Sequence, residues 1–261
     1  MRSLLVTLAL AGASLPSPGA ELLSLADFET GELTQISMQK GAPDALQIVT
    51  SPVRTGKYAA KVLLRVTDPH VSKGQRAEFS DGRNKRVLMN QDYWYGLSIF
   101  IPDDFRAPKG DAVMFQWHTQ QGGPSPVLAI RIKGTEWWIT SNAEKMPHGK
   151  RRTLSRVPFE RNKWTDWVVH ARWASDNTGY WTIWKDGVEI VNEKNIVTQY
   201  PEALGPYAKF GQYHSVDATA PQNIVFVDEY RVVGPGGSYE DVAPGSARRR
   251  SSSAAAPGSS R

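Results

Sequence analysis

The sequence predicts an all-β protein built as a sandwich of two antiparallel sheets. Apolar residues alternate with polar ones over short runs, the period of a half-buried strand. The runs are rich in Val, Ile, Trp and Tyr, which suit a pleated surface. Helical spacing is scarce and never alternates with strands, which excludes a parallel βαβ sheet.

Taken in order, residues 58–66 form an aliphatic run, Tyr58-Ala59-Ala60-Lys61-Val62-Leu63-Leu64-Arg65-Val66, that reads as a strand. Residues 93–100 are aromatic and β-branched, and Val127-Leu128-Ala129-Ile130-Arg131-Ile132 alternates late in its length. Residues 164–173 run from one tryptophan to another. Residues 179–190 contain Asp186-Gly187, the two-residue signal of a hairpin. Residues 224–233 close the series. Many strands separated by turn residues favour a jelly roll, whose curved sheets leave a concave face on which long polymers lie.

At 261 residues the chain fits one such domain. With no cysteine, it excludes a disulfide scaffold, thiol chemistry and thiolate zinc sites. Arg2 and the apolar stretch Leu4 to Ala11 have the shape of a secretory signal peptide, expected over residues 1–20, and the run is too short to span a bilayer. Residues 21–243 are expected to be the domain. Residues 244–261 lack large apolar side chains and are expected to be a disordered tail. A secreted monomer with no membrane partner is the expectation.

Three further strands carry polar groups on one face. Residues two apart share a face. In residues 74–80, Ala77 and Phe79 point one way, and Arg76, Glu78 and Ser80 the other. In residues 114–118, Phe115 and Trp117 suit the core, leaving Gln116 and His118 together. In residues 207–213, Ala208 and Phe210 face inward, and Tyr207, Lys209 and Tyr213 outward. A solvated face favours Lys, Glu, Thr and Ser, whereas this set is rich in groups that donate hydrogen bonds or titrate usefully.

These side chains suit one reaction. In a uronic acid polymer the C5 hydrogen lies alpha to a carboxylate. Its removal builds charge on that carboxylate, which donors such as Gln, Arg or His must neutralise. A base takes the proton, an acid protonates the departing O4 of the next sugar, and a 4,5 double bond forms. This β-elimination requires no cofactor.

At these segments the sequence resembles the concanavalin A-like jelly-roll polysaccharide lyases of the glucuronan, alginate and heparin lyase I types. Arg76-Ala77-Glu78 resembles their Arg-x-Glu strand and Gln116-Trp117-His118 their Gln-x-His strand. The segment from Tyr207 to Tyr213 has the spacing of the alginate lyase Tyr-x-Lys-x-Gly-x-Tyr strand. Flanking segments such as Phe28-Glu29-Thr30-Gly31 and Ile101-Pro102-Asp103-Asp104-Phe105 extend the resemblance over most of residues 26–233. The resemblance implies that Gln116 and Arg76 neutralise or orient the carboxylate, with Glu78 holding Arg76. His118 would be base or neutraliser, and Tyr213 acid, or both base and acid. Lys209 would bind a neighbouring carboxylate, with Tyr207, Arg131 and His70 as further substrate-binding residues. His214 departs from the Asn usual in the alginate enzymes, so glucuronan is the first expected substrate, ahead of alginate and heparin-type chains.

Glu29 and Asp228 resemble a structural calcium position of jelly rolls, where carboxylates from both chain ends meet one hard cation. Three rival functions are weaker. A glycoside hydrolase would need paired carboxylates at a fixed separation, and the Glu-x-Asp-x-x-Glu strand of the concanavalin-like hydrolases is absent. A non-catalytic carbohydrate-binding module or lectin, served by Trp137 and Trp138, needs no poised acid and base. Nucleic-acid binding has no supporting motif. The formal charge of +5 does not help it: Arg2 supplies one charge and Arg248, Arg249, Arg250 and Arg261 four, so the domain between is neutral. A basic stretch, Lys145, Lys150, Arg151, Arg152, Arg156, Arg161 and Lys163, is expected to hold a polyanion if it folds over the cleft.

Overall fold

The computed structural model describes residues 20–72, 74–82, 86–121, 125–143, 151–214 and 220–246. Almost all of the expected signal peptide and of the tail lie outside them, as do Lys145 and Lys150 of the basic stretch. The strands, in chain order, are β1 (Leu22–Ala26), β2 (Ser37–Lys40), β3 (Leu46–Val49), β4 (Ala59–Arg65) and β5 (Arg76–Ser80). Next come β6 (Asp92–Ile101), β7 (Ala112–His118), β8 (Leu128–Lys133), β9 (Glu136–Ser141) and β10 (Arg152–Pro158). The series ends with β11 (Lys163–Arg172), β12 (Gly179–Lys185), β13 (Val188–Ile196), β14 (Tyr207–Tyr213) and β15 (Gln222–Val233), before a single-turn helix, α1 (Tyr239–Val242).

These strands form two antiparallel sheets. One has the order β13-β12-β11-β6-β15-β4-β3, with β1 added against β15; the other runs β10-β9-β8-β7-β14-β5-β2. Neighbours that are distant in sequence, such as β14 between β5 and β7, make the connections of a jelly roll. The expected strands are all present, and Asp186 and Gly187 both take positive φ in the turn joining β12 to β13. The sequence reading missed β1, β2, β3, β9 and β10. The first three are only four or five residues long. In β9 tryptophans face both ways, with Trp137 in the core and Trp138 outside, so alternation is lost. Strand β10 is an edge strand, half-exposed throughout and ending on Pro158.

The core lies between the sheets. Trp117, Trp137, Trp167, Trp173 and Trp181 are fully buried. Phe79 stacks on Phe210 at 5.2 Å, and Tyr95 meets Trp117 edge-on at 5.3 Å. Burying one such side chain favours folding by about 1.5–3 kcal/mol. Gln212 also points inward and ties the sheets together, donating to the carbonyls of Val62 (3.0 Å) and Asn223 (3.1 Å). This inward packing holds β5, β7 and β14 side by side and leaves their other faces to the cleft.

Candidate active site

Strand register brings the polar faces together. Lys209 on β14 lies opposite Gln116 on β7 and Ser80 on β5, and Tyr207 lies opposite His118. Tyr213 lies opposite Arg76 on one side and Val113 on the other. A bulge in β14 between Phe210 and Tyr213 makes this alignment. Gly211 sits in it at φ 128°, where a Cβ would come 2.4 Å from the Ala77 carbonyl oxygen. Only glycine fits that position.

Glu78 is the centre of the floor. Its side chain is 1% exposed. One carboxylate oxygen accepts from Gln116 Nε2 at 2.5 Å, and the other from Lys209 Nζ at 2.6 Å and Arg76 Nη1 at 3.4 Å. The glutamate therefore holds Gln116 and Lys209 as well as Arg76. Lys209 is itself buried, its ammonium directed at Glu78 and not at the cleft. Burial pulls the Lys209 pKa below the ordinary lysine value, with Glu78 opposing the change and Arg76 adding to it.

His118 and Tyr207 occupy one end of this floor, their rings 5.2 Å apart. His118 Nδ1 lies 2.8 Å from the Thr119 carbonyl oxygen, which can only accept, so Nδ1 carries the proton in the neutral ring. Nε2 then keeps its lone pair. Burial is the main influence lowering the His118 pKa, so the ring is neutral at neutral pH. Burial raises the Tyr207 pKa and keeps its hydroxyl protonated. Tyr207 rests against Gly82, whose Cβ would meet its ring at 3.0 Å, and borders a hollow of 350 Å³ with Ser80 and Gln120.

Tyr213 occupies the other end, six positions along β14 from Tyr207. The Arg76 guanidinium stacks on its ring at 4.1 Å, and a Cβ on Gly74 would lie 2.5 Å from the same ring. Tyr213 lines a cavity of 570 Å³ with Gly74, Asp111, Arg131, Asn142 and Arg151. Arg131 donates to Thr140 Oγ1 at 2.9 Å and to Asp111 at 3.2 Å, and Arg151 reaches the same carboxylate at 2.8 Å. His214 lines this cavity too, with Nε2 at 3.2 Å from Gln212 Oε1.

Some expected residues lie elsewhere. His70 sits exposed in the loop between β4 and β5 and does not line the cavity. A β-bulge in β10 between Thr153 and Ser155, together with loop position, divides the basic stretch. Arg151 and Arg156 are on the cleft side, Arg152 pairs with Glu193 of the opposite sheet, and Arg161 donates to the carbonyls of Pro102, Asp103 and Phe105. His170 is structural: it stacks on Trp94 at 3.8 Å and bonds Asp92 and Tyr180. Gly74, Gly82 and Asp111 were not singled out from the sequence, because their importance depends on which side chain packs over or beside them.

Glu29 and Asp228 grip one loop. Glu29 accepts from the amides of Lys57 and Tyr58 at 3.0 Å, and Asp228 from those of Arg54 (2.9 Å) and Glu229 (2.7 Å). Burial raises the Asp228 pKa to about 7, with Glu29 and Asp27 adding repulsion. These all-oxygen donors suit a hard cation. Among the described residues no three acidic or histidine side chains converge on one point, so carbonyls and water would have to complete any calcium shell.

The family model described as polysaccharide lyase matches residues 28–231, a span containing every element of this floor. The chain belongs to the polysaccharide lyase family. It is therefore an enzyme that acts on polysaccharide by elimination. No curated protein sequence is a significant match. Among solved structures, the endo-β-1,4-glucuronan lyase of Trichoderma reesei is similar at a TM-score of 0.69 and 21% identity, over 82% of this chain and 96% of that one. A family 7 alginate lyase, A1-II′, in complex with substrate is similar at 0.56 and 12% identity, over 73% and 82%. Alginate lyase AlgAT5 gives 0.52 and 14%, over 76% and 93%. At these identities the likeness establishes the jelly-roll lyase fold.

Proposed function

We propose that this polysaccharide lyase is secreted and cleaves β-1,4-glucuronan by β-elimination. The observation that carries the reading is the cationic floor around Glu78, bordered by an uncharged His118 with a bare Nε2 and by Tyr213. The floor holds two cations against one carboxylate, so a sugar carboxylate laid over Arg76 and Gln116 meets net positive charge. That charge stabilises the enolate formed when the C5 proton leaves. A base takes the proton, the C4–O4 bond breaks as C4=C5 forms, and the Tyr213 hydroxyl protonates the departing O4; His118 Nε2, with its lone pair, is one candidate for that base. Fold similarity to the Trichoderma reesei enzyme supports glucuronan over alginate and heparin-type chains.

A second assignment is favoured by the separation of the two groups. Six positions of extended strand cover about 20 Å, and His118 stands opposite the far end of β14 from Tyr213. In β-linked glucuronate H5 and O4 leave from the same face of the ring, so Tyr213 can serve as both base and acid, with His118 binding the sugar.

The test is ultraviolet absorbance of the unsaturated uronate formed from glucuronan, alginate and heparin. Tyr213→Phe should abolish most of the rate in either assignment. His118→Ala should do so only if His118 is the base; a raised KM with substantial kcat assigns both transfers to Tyr213. No absorbance change on any uronate polymer would overturn the proposed chemistry and substrate class, leaving the face as a carbohydrate-binding surface.

A further inference from the structure

The register continues the site beyond the residues already described. Tyr213 on β14 is opposite Val113 on β7, Val113 is opposite Arg131 on β8, Arg131 is opposite Trp138 on β9, and Trp138 is opposite Arg156 on β10. One level row thus crosses the cleft sheet from Arg76 to its β10 edge. At the end of the row two cations bracket an indole: Arg156 lies 3.8 Å from the Trp138 ring centre and Lys133 4.5 Å from it. Both cations are exposed, and Trp138 is half-exposed. Among the described residues neither cation has a carboxylate partner, while Glu136 is turned to the indole N–H at 3.1 Å.

We propose that Trp138, Arg156 and Lys133 form a distal subsite for a uronate unit of the substrate chain, remote from the bond that breaks. This rests on the uronate-lyase reading above. Four strand spacings of about 4.8 Å put Arg156 roughly 19 Å from the Tyr213 strand, past the sugars flanking the scissile bond. Two like charges held against one ring repel each other, and a sugar carboxylate laid over the indole edge within reach of both relieves that repulsion. The indole supplies an apolar edge for the sugar ring, and Arg131 and Arg151 bridge the distance to Tyr213 along the cavity wall.

The experiment compares long glucuronan with short oligoglucuronates, using the full chain and the variant Arg156→Gln/Lys133→Gln, both exposed positions that fold does not require. Trp138→Ala is a second variant, with thermal unfolding as control. We expect KM for the polymer to rise about threefold to tenfold, the worth of one or two exposed charge contacts. We expect kcat, and KM for the shortest cleaved oligomer, to stay within twofold, and the polymer penalty to fade at high salt. An equal loss on both lengths, or no loss on the polymer, overturns the subsite. If the wild type proves unable to cleave any uronate, gel retardation by polyuronate separates the two ideas. Retardation by the wild type that the double variant loses keeps the subsite while the lyase chemistry fails, and retardation unchanged in the variant refutes it.

Discussion

Glu78→Gln removes the one negative charge of the floor and leaves Arg76 and Lys209 buried together. At an effective dielectric constant near 20, a pair of unit charges 4 Å apart attract by about 4 kcal/mol, and Lys209 lies closer than that, at 2.6 Å. Removing one partner of a buried pair costs about 3–5 kcal/mol, because the other charge stays desolvated. In a domain of this size that corresponds to a fall in melting temperature on the order of 10 °C. The pH dependence carries the argument further. Burial and Arg76 already depress the Lys209 pKa, and Glu78 alone among these influences holds it up. In the variant the pKa falls further, so the folded state binds fewer protons than the unfolded state over a wider window below pH 10.5. Stability then rises with pH through that window, and the deficit against the wild type should be largest near pH 7 and shrink by pH 9.5. Adding Lys209→Met should recover part of the loss, since a paired deletion leaves no orphaned ammonium. Denaturant unfolding at both pH values measures all of this. A variant as stable as the wild type at pH 7, or a deficit that grows with pH, would refute the account of Glu78 as counter-ion.

Other outcomes follow from the same geometry. Gly74→Ala places a methyl 2.5 Å from the Tyr213 ring, and misplacing a reacting group by about 1 Å costs up to ~100-fold. Turnover of glucuronan should therefore fall by about tenfold to 100-fold while the melting temperature changes little; unchanged turnover would mean that Tyr213 need not sit where it does. If His118 is the base, kcat/KM should decline only as the pH falls through its lowered pKa, giving an acid limb below 6.5. A limb above 6.5, or one retained in His118→Ala, would exclude that role. For Asp228, the folded pKa of about 7 lies above the ordinary carboxylate value, so the folded state holds an extra proton between about pH 4 and 7. Stability contributed by that proton is present below the window and lost as pH rises through it, by roughly 4 kcal/mol. We propose that calcium bound by Glu29 and Asp228 offsets this loss. Added calcium should raise the melting temperature at pH 8 more than at pH 5, and an equal or absent effect would dismiss the site.

The faces of β5, β7 and β14 were legible because parity is local: knowing that Phe79, Phe115 and Phe210 enter the core fixes where Glu78, Gln116 and Lys209 point. Which residues meet across strands was not legible, since register depends on the bulge at Gly211 and on a second one between Val113 and Phe115. That is why Lys209 read as a ligand for substrate when its ammonium is bound to Glu78. The same limit hid the subsite. Trp138 sits in a strand whose two faces are both bulky, and Arg156 seemed part of one basic stretch because the bulge in β10 that turns it to the opposite face from Arg152 is not visible in the sequence.

The arrangement also explains why an acidic residue stands at the centre of a surface proposed to bind a polyanion. Without Glu78, Arg76 and Lys209 would be two desolvated cations, a state that costs several kcal/mol. A second carboxylate would neutralise the floor and repel the substrate. With one carboxylate and two cations, the floor folds with most of its charge paired and keeps one positive charge in excess. A single sugar carboxylate then completes the pairing. Because the Lys209 ammonium is bound to Glu78, the excess is carried by Arg76, which lies against Tyr213. The positive charge that meets the substrate is thus placed beside the hydroxyl proposed to protonate O4, and not spread across the sheet.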